Sequence, residues 1–249
     1  MNSLLAGKRI IVTGGGAGIG LGIVRQCVAA GAEVIAFERD PLKEEAVTAV
    51  GAIFRQVDVA DVAGLRRAID AAGGEPGSVQ GLVNNAGITI QKPLADLSLE
   101  EMDLLWMVNQ RSVLVAAQAA APILAANGGG AIVNIASNHA RASDRGYEAY
   151  AGTKGAVVAM TRALAWSLGP SNIRVNALAP GLTMTETVAQ AALEPGREAE
   201  FRSWHATGEV NTVDEVGRLA AFLLSEAARS MTGAEIIADQ GMSARLGAI

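Results

Sequence analysis

Seven short runs of β-branched and other apolar residues alternate along the chain with longer, alanine-rich stretches. Each run is about five residues long and mostly apolar, as expected for strands that are buried on both faces. The stretches between the runs are long enough to form crossover helices. The alternation predicts an α/β fold with a parallel sheet of seven strands. The predicted strands are Arg9–Thr13, Glu33–Phe37, Ala52–Val57, Gly81–Asn85, Ala131–Ala136, Ile173–Leu178 and Ala234–Asp239.

Helix start and stop signals agree with this pattern. Residues 98–101 and 212–215 both have the spacing of a capping box, and the Gly-Pro pair at 169–170 ends a long helical stretch. No change of composition divides the chain, so residues 1–249 are predicted to form one doubly wound, Rossmann-type domain with helices on both faces of the sheet. The polar, irregular segment 182–208 lies late in the fold and is predicted to form a lid over the substrate.

Composition and charge narrow the function classes. The chain has 249 residues, of which 50% are hydrophobic and 18% charged, and this excludes a disordered protein. A net charge of −5 without a basic block excludes a typical nucleic-acid binder, because the phosphate backbone requires clustered Lys and Arg. The single cysteine, Cys27, lies among apolar residues and predicts a core position, no internal disulfide and a cytoplasmic location.

Neither a membrane nor a metal is an expected partner. The first ten residues lack the apolar core of a signal peptide. The longest apolar stretch, 113–126, contains a Gln and a Pro and is too short to span a bilayer. The sequence contains no His/Cys cluster and no His-Glu-x-x-His pattern, so no metal site is predicted.

A glycine-rich turn follows the first predicted strand and precedes a helix. In such a unit, backbone N–H groups and the helix N-terminus surround a pyrophosphate, while glycines allow the tight turn and close approach of the ligand. The alternative is a purely structural turn in a glycine-rich chain. The candidate cofactor-binding residues in this turn are Gly14, Gly16, Gly18, Ile19 and Gly20.

The second predicted strand is followed by Glu38 and Arg39. An acidic residue about 20 positions beyond the glycines accepts hydrogen bonds from adenosine ribose hydroxyls, and its charge repels the extra phosphate of NADP. Glu38 therefore favours NAD. Arg39 favours NADP instead, since a guanidinium pairs with the extra phosphate. The alternative for both residues is a solvated strand end.

Tyr150 and Lys154 are four residues apart in a helical stretch and so share a face. A nearby ammonium stabilises a phenolate and is expected to lower the pKa of Tyr150, which makes this tyrosine a candidate general acid/base. Ser137 follows a strand at the carboxyl edge of the sheet, where its hydroxyl is placed to bind a substrate oxygen. The alternative for the Tyr-Lys pair is an exposed pair on a helix surface.

These motifs together resemble the short-chain dehydrogenase/reductase family over essentially the whole chain: Thr13-Gly14-x-x-x-Gly18-x-Gly20, Asn84-Asn85-Ala86-Gly87, Ser137 and Tyr150-x-x-x-Lys154. The resemblance implies hydride transfer between a nicotinamide and a secondary alcohol or ketone. Tyr150 would be the general acid/base and Ser137 would orient the oxygen. Asn109 would be the fourth catalytic residue, holding a water that links Lys154 to solvent.

The resemblance also implies further contacts and an assembly. Additional cofactor contacts would come from Asp58, Val59, Asn85, Ala86, Gly87, Pro180, Gly181 and Thr183, together with Tyr150 and Lys154 themselves. A homotetramer or homodimer would form through the long helices at about 98–126 and 149–168 and the C-terminal strand. Two segments depart from the family pattern: Asp239-Gln240-Gly241, and residues 206–209, which replace a common Pro-Leu-Gly-Arg.

The candidate substrate-binding residues are Ser137, His139, Arg141, Tyr147 and Tyr150. This polar wall suits a small polyhydroxylated or anionic substrate better than a steroid, and it predicts an NAD-dependent dehydrogenase of a sugar, polyol or related hydroxy compound. One alternative is a 3-oxoacyl thioester reductase using NADPH. Another is a non-catalytic nucleotide-sensing protein on the same fold.

Overall fold

The computed structural model describes residues 4–74 and 79–245. Residues 1–3, 75–78 and 246–249 of the predicted domain lie outside the described residues. The strands are β1 (Arg9–Thr13), β2 (Glu33–Glu38), β3 (Ile53–Gln56), β4 (Val79–Asn84), β5 (Gly130–Ile135), β6 (Ile173–Pro180), β7 (Thr183–Met184), β8 (Asn211–Thr212) and β9 (Glu235–Ala238).

Seven of these strands form one parallel sheet in the order β3-β2-β1-β4-β5-β6-β9, which confirms the predicted fold class. The predicted strand limits were wrong by one or two residues at several ends. The predicted Ala52–Val57 strand shortens to Ile53–Gln56, because β3 is an edge strand that pairs only with β2. Strands β7 and β8 pair separately as a two-stranded ribbon.

The helices are α1 (Gly18–Ala29), α2 (Glu44–Ala49), α3 (Val62–Gly74), α4 (Leu99–Trp106), α5 (Ser112–Ala126), α6 (Glu148–Leu168), α7 (Glu186–Ala192), α8 (Arg197–Ser203) and α9 (Val213–Leu224). Both predicted capping boxes are present, at the starts of α4 and α9. The predicted continuous helix 98–126 is interrupted by a π-helical turn at Met107–Arg111. The segment 182–208 contains β7, α7 and α8. No described helix is both long and apolar enough to cross a membrane.

Alternate residues of the strands enter the two hydrophobic layers. In β1, Ile10 and Val12 pack with residues of α1 and α9, whereas Ile11 packs with residues of α3 and α5. Cys27 of α1 is fully buried, and burial raises the pKa of its thiol to about 12, as fits a core residue. The sheet is thus covered on both faces, and its carboxyl edge is left to form a site.

Polar side chains cross the sheet interior below that edge. The Nδ2 of Asn84 donates to the Oδ1 of Asn134 at 2.8 Å, and the Nδ2 of Asn134 donates to the Oγ1 of Thr161 at 2.9 Å. All three side chains are at most 4% exposed. This network joins β4, β5 and α6, so it fixes the strand that carries Ser137 against the helix that carries Tyr150.

Asn134→Ala should lower the free energy of unfolding by about 2–4 kcal/mol, because it leaves the buried amide of Asn84 without its acceptor. Urea unfolding at fixed protein concentration measures the loss. The double variant Asn84→Ala/Asn134→Ala should lose less than the sum of the two single variants, and strictly additive losses would contradict the network.

Candidate active site

The sheet order reverses between β1 and β4, whose connections leave the sheet in opposite directions. Ligands of doubly wound folds bind at the carboxyl edge next to such a reversal. The turn after β1, the loop after β4 and Ser137 after β5 all lie at this edge. The structure therefore brings the predicted phosphate turn and the predicted catalytic residues to one edge.

The turn after β1 is built by close approach of backbone atoms. Gly14 has φ +62°, and a Cβ there would lie 2.8 Å from the Cα of Ala86. A Cβ on Gly20 would lie 1.9 Å from the carbonyl oxygen of Gly14. Asn85 holds this turn in place, since its Nδ2 donates to the carbonyl oxygens of Thr13 at 3.1 Å and of Gly14 at 2.9 Å. A side chain at Gly14 or Gly20 would clash with these backbone atoms, so the turn requires glycine at both positions.

The carboxylate of Glu38 faces the same turn. Its Oε2 accepts a hydrogen bond from the N–H of Gly16 at 3.2 Å, and its Oε1 accepts from the N–H groups of Arg39 and Asp40. The carbonyl of Glu38 accepts from the N–H of Val57 at 2.9 Å, which brings the following Asp58 and Val59 beside the end of β2.

The remaining predicted residues of this region differ in exposure. Val59 is buried, whereas Asp58 and Arg39 are exposed, and Ile19 is a partly buried residue in the first turn of α1. A glycine turn, a helix N-terminus and a carboxylate at the end of β2 fit the diphosphate and the ribose of a dinucleotide. The structure thus places the predicted cofactor residues that follow β1, β2 and β3 next to one another at the carboxyl edge of the sheet.

The phenol of Tyr150 lies beside Ser137 and Thr89. Burial raises the pKa of Tyr150, while hydrogen bonds with Ser137 and Thr89 act in the opposite direction. The amine of Lys154 lies 5.8 Å from the centre of the Tyr150 ring and donates to the carbonyl oxygen of Ile135 at 2.9 Å. Burial lowers the pKa of Lys154 from 10.5 to about 8.

The net shift of the Tyr150 pKa is the reverse of the expected one. The expectation placed Lys154 as the group that stabilises the phenolate, but in the protein alone burial of the phenol is the largest effect. Lys154 is bound to a backbone carbonyl instead, and Ser137 and Thr89 are the groups that favour the phenolate.

Asn109 lies in the π-helical turn, and its side chain is 1% exposed. Its Oδ1 accepts from the N–H of Ile88 at 2.8 Å, and its Nδ2 donates to the carbonyl of Ile88 at 2.9 Å and to the Oγ1 of Thr153 at 3.2 Å. The Oγ1 of Thr153 in turn donates to the carbonyl of Tyr150 at 2.7 Å. A Cβ on Gly87 would lie 3.4 Å from the Oδ1 of Asn109, so the loop after β4 rests directly on this amide.

An aromatic wall stands beside the phenol. The ring centres of His139 and Tyr147 are 4.4 Å apart, and those of His139 and Tyr150 are 5.6 Å apart. The Nδ1 of His139 is 2.9 Å from the Oγ of Ser143, and Tyr147 donates to the Oε1 of Gln91 at 3.0 Å. Burial lowers the pKa of His139, which favours a neutral ring at pH 7.

Two predicted site residues, Arg141 and Thr183, form hydrogen bonds with groups outside this aromatic wall. Arg141 is exposed and its Nη2 donates to the Oε2 of the nearly buried Glu235 at 2.9 Å. Thr183 is buried in β7 and donates to the carbonyl of Gly181 at 3.0 Å, next to the buried Pro180. Thr185 is the threonine that reaches the phosphate turn, since a Cβ on Gly18 would lie 3.2 Å from its Cγ2.

Three contacting residues were absent from the predicted site: Thr89, Gln91 and Thr153. Thr89 and Gln91 follow the Asn-Asn-Ala-Gly motif by a few residues, and this position on a loop at the carboxyl edge is the one signal that could have found them. Among the described residues, no group of three or more His, Cys, Asp and Glu side chains is arranged to hold a metal ion.

Comparison with known proteins places the chain among oxidoreductases. A family model described as enoyl-(acyl carrier protein) reductase matches residues 14–243. The chain is 32% identical over 249 residues to 3-oxoacyl-[acyl-carrier-protein] reductase FabG of Chlamydia pneumoniae, covering 98% of this chain and all of the relative. It is 34% identical to L-xylulose reductase of Bos taurus, over 98% of this chain and all of that protein.

Two further matches extend the comparison. D-threitol dehydrogenase of Mycolicibacterium smegmatis is 33% identical over 95% of this chain and 93% of its own length. A solved structure of a short-chain type dehydrogenase/reductase from Mycobacterium ulcerans superposes with a TM-score of 0.92 at 32% identity, covering 98% of this chain and 92% of that chain. The whole fold, including the region of the candidate site, is therefore shared with these proteins.

Thr89→Val should raise the pKa of Tyr150, because it removes one of the two hydrogen bonds that favour the phenolate. The chain has two tyrosines, so in a Tyr147→Phe background the tyrosinate absorbance reports Tyr150 alone. Thr89→Ser should restore the original midpoint. An unchanged midpoint in Thr89→Val would show that Thr89 does not act on the phenol.

Proposed function

Since the chain belongs to the short-chain dehydrogenase/reductase family, we propose that it is an NAD-dependent oxidoreductase of a sugar, polyol or related polar hydroxy compound. Family membership makes the chain an oxidoreductase that acts on a CH–OH group. The observation that carries the proposal is that Tyr150, with the Lys154 amine 5.8 Å from its ring centre and Ser137 and Thr89 beside its hydroxyl, lies at the same sheet edge as the glycine turn. The cofactor identity and substrate class are inferred from the residues around these two features.

Tyr150 exchanges the proton in this mechanism. When bound, a nicotinamide would supply the hydride chemistry, as the acceptor for the alcohol carbon in oxidation and the donor in reduction. In oxidation, ionised Tyr150 takes the hydroxyl proton of the substrate, and in reduction the neutral phenol gives it back. Ser137 binds the substrate oxygen and, together with Thr89, stabilises the phenolate. Lys154, with a pKa of about 8, is largely an ammonium at neutral pH and adds positive charge below the ring.

Asn109 has a positioning role in this account. Its amide holds the loop after β4 through Ile88 and the catalytic helix through Thr153. The water that Asn109 would hold to link Lys154 to solvent stays a prediction. The direct hydrogen bonds place the backbone carbonyl of Tyr150 relative to the loop that carries Thr89.

Glu38 supports NAD as the cofactor. Its carboxylate lies against the phosphate turn and repels a second phosphate on the adenosine ribose. Arg39 donates only its backbone N–H to this carboxylate, and its side chain is exposed. The Glu38 carboxylate is therefore a negative charge held directly against the turn.

The polar wall and the relatives support a polyhydroxylated substrate. His139 and Tyr147 present polar atoms beside Tyr150, and the matched L-xylulose reductase and D-threitol dehydrogenase are named for a sugar and a polyol. The second candidate is a 3-oxoacyl thioester reductase, which the match to FabG favours. The net charge of −5 disfavours this alternative, because docking of an acidic carrier protein needs a basic surface.

Exposed apolar side chains support self-association as a dimer or tetramer. Trp106 of α4, Leu114 of α5 and Trp166 of α6 are 50%, 43% and 87% exposed. Trp106 and Leu114 line the same surface depression, and adjoining exposed apolar side chains are typical of interaction surfaces. The proposed partner is a second copy of the chain, with a small polar molecule as substrate.

A nicotinamide absorbance screen tests the proposed function. Sugars, polyols, hydroxy acids and acyl thioesters are offered with NAD or NADP, and a sugar or polyol should turn over with NAD. Tyr150→Phe should lower kcat at least about 100-fold, because it removes the proton acceptor, whereas the matched control Tyr147→Phe should keep kcat and change only KM, because it alters the binding wall and leaves the proton acceptor in place. Turnover confined to a 3-oxoacyl thioester with NADPH, or full activity of Tyr150→Phe, would contradict the proposal.

Glu38→Ser should lower the ratio of kcat/KM with NAD to kcat/KM with NADP by about tenfold or more, since the charge-assisted hydrogen bonds to the ribose are lost. Initial rates with each cofactor at a saturating alcohol give the ratio. Glu45→Ser is the control, because Glu45 is an exposed carboxylate of α2. A ratio that stays constant in Glu38→Ser would remove Glu38 from cofactor selection.

A further inference from the structure

A carboxylate of the segment 182–208 binds the N-terminus of α1. The Oε2 of Glu186 accepts a hydrogen bond from the N–H of Gly18 at 3.2 Å, across 168 positions of sequence. Gly18 is the first residue of α1, and its N–H is one of the donors that a helix leaves unpaired at its start. Glu186 thus supplies negative charge where the helix dipole is positive.

The sequence of α1 does not supply this charge itself. The N-cap residue, Ala17, makes no side-chain hydrogen bond to the helix, and the first turn contains no acidic residue. Thr185 packs on the same spot, since a Cβ on Gly18 would lie 3.2 Å from its Cγ2. An uncapped helix after a glycine turn is the arrangement that binds a phosphate group, and here a side-chain carboxylate reaches it.

We propose that the Glu186 carboxylate and the diphosphate of the dinucleotide compete for the N–H of Gly18, so that Glu186 weakens dinucleotide binding and couples it to a displacement of α7. The inference rests on the proposed function, because it takes the dinucleotide as the ligand of this turn. Two anions cannot share one donor in close contact without strong repulsion. Glu186 therefore has to leave Gly18 for the diphosphate to bind there.

The packing of the segment lets α7 move. Glu186 is the first residue of α7, and α7 contains no buried residue. In contrast, α8 is anchored by Phe201, and the chain after it by His205, each 5% exposed. An element without buried side chains is held by little apolar contact, so its displacement costs little free energy. The displacement is expected to involve α7 and to leave α8 in place.

Calorimetric titration of the full chain with NAD, ADP and adenosine tests the competition. Glu186→Gln should bind NAD and ADP about three- to tenfold more tightly than the wild type, because the negative charge is removed from the helix terminus. Adenosine lacks phosphate, so its affinity should be the same in both proteins. The gain for ADP should shrink in 1 M salt, where screening acts over about 3 Å.

Glu194→Gln is the matched control, since Glu194 is an exposed carboxylate between α7 and α8. It should leave the three affinities unchanged. An NAD affinity of Glu186→Gln within twofold of the wild type, or an equal gain in Glu194→Gln, would overturn the inference and leave the proposed function intact. Failure of both the wild type and Glu186→Gln to bind NAD would contradict the inference and the proposed function together.

Discussion

The loop after β4 is held between two asparagine side chains, and the rest of the site depends on this pair. Asn85 donates to the carbonyls of Thr13 and Gly14 in the phosphate turn. Asn109 binds both backbone groups of Ile88 on the other side of the loop and reaches Thr153, whose hydroxyl donates to the carbonyl of Tyr150. A hydrogen-bonded path thus runs from the phosphate turn to the catalytic helix. The amides of Asn85 and Asn109 are partly buried or buried, so the loss of a hydrogen-bond partner would lower the free energy of unfolding.

This path explains how the parallel sheet fixes the position of Tyr150 relative to the glycine turn. The glycine turn and Tyr150 belong to elements far apart in sequence, and neither β1 nor α6 alone determines where the other lies. The polar ladder through Asn84, Asn134 and Thr161 fixes β4, β5 and α6 from within the sheet. Above it, Thr89 and Ser137 act on the same phenol from two different loops. The loops that follow β4 and β5 therefore both position the phenol of Tyr150 and carry the hydroxyl groups that favour its ionised form.

Much of this arrangement could be predicted from the sequence. Short, mostly apolar runs, capping-box spacing and the glycine turn are local signals, and the seven strands and both capped helices follow from them. The contacts of Thr153 with Asn109 and of Glu186 with Gly18 depend on tertiary structure, because these partners lie 44 and 168 positions apart with no motif to mark them. The same holds for Thr89 and Tyr150, which belong to different elements. The pKa of Tyr150 could not be predicted from the Tyr-x-x-x-Lys spacing, since spacing does not report burial. The π-helical turn at Asn109 likewise carries no composition signal.

The central claim is that Tyr150 exchanges the substrate proton and that the hydroxyl groups around it counteract the rise in its pKa that burial causes. The pH dependence of kcat/KM for alcohol oxidation at saturating NAD, compared with the tyrosinate titration of the same NAD complex in a Tyr147→Phe background, tests this most directly. The two midpoints should coincide, and both should move to higher pH in Thr89→Val, because ionised Tyr150 is the active form. A kinetic midpoint that stays in place while the Tyr150 titration moves would contradict the account.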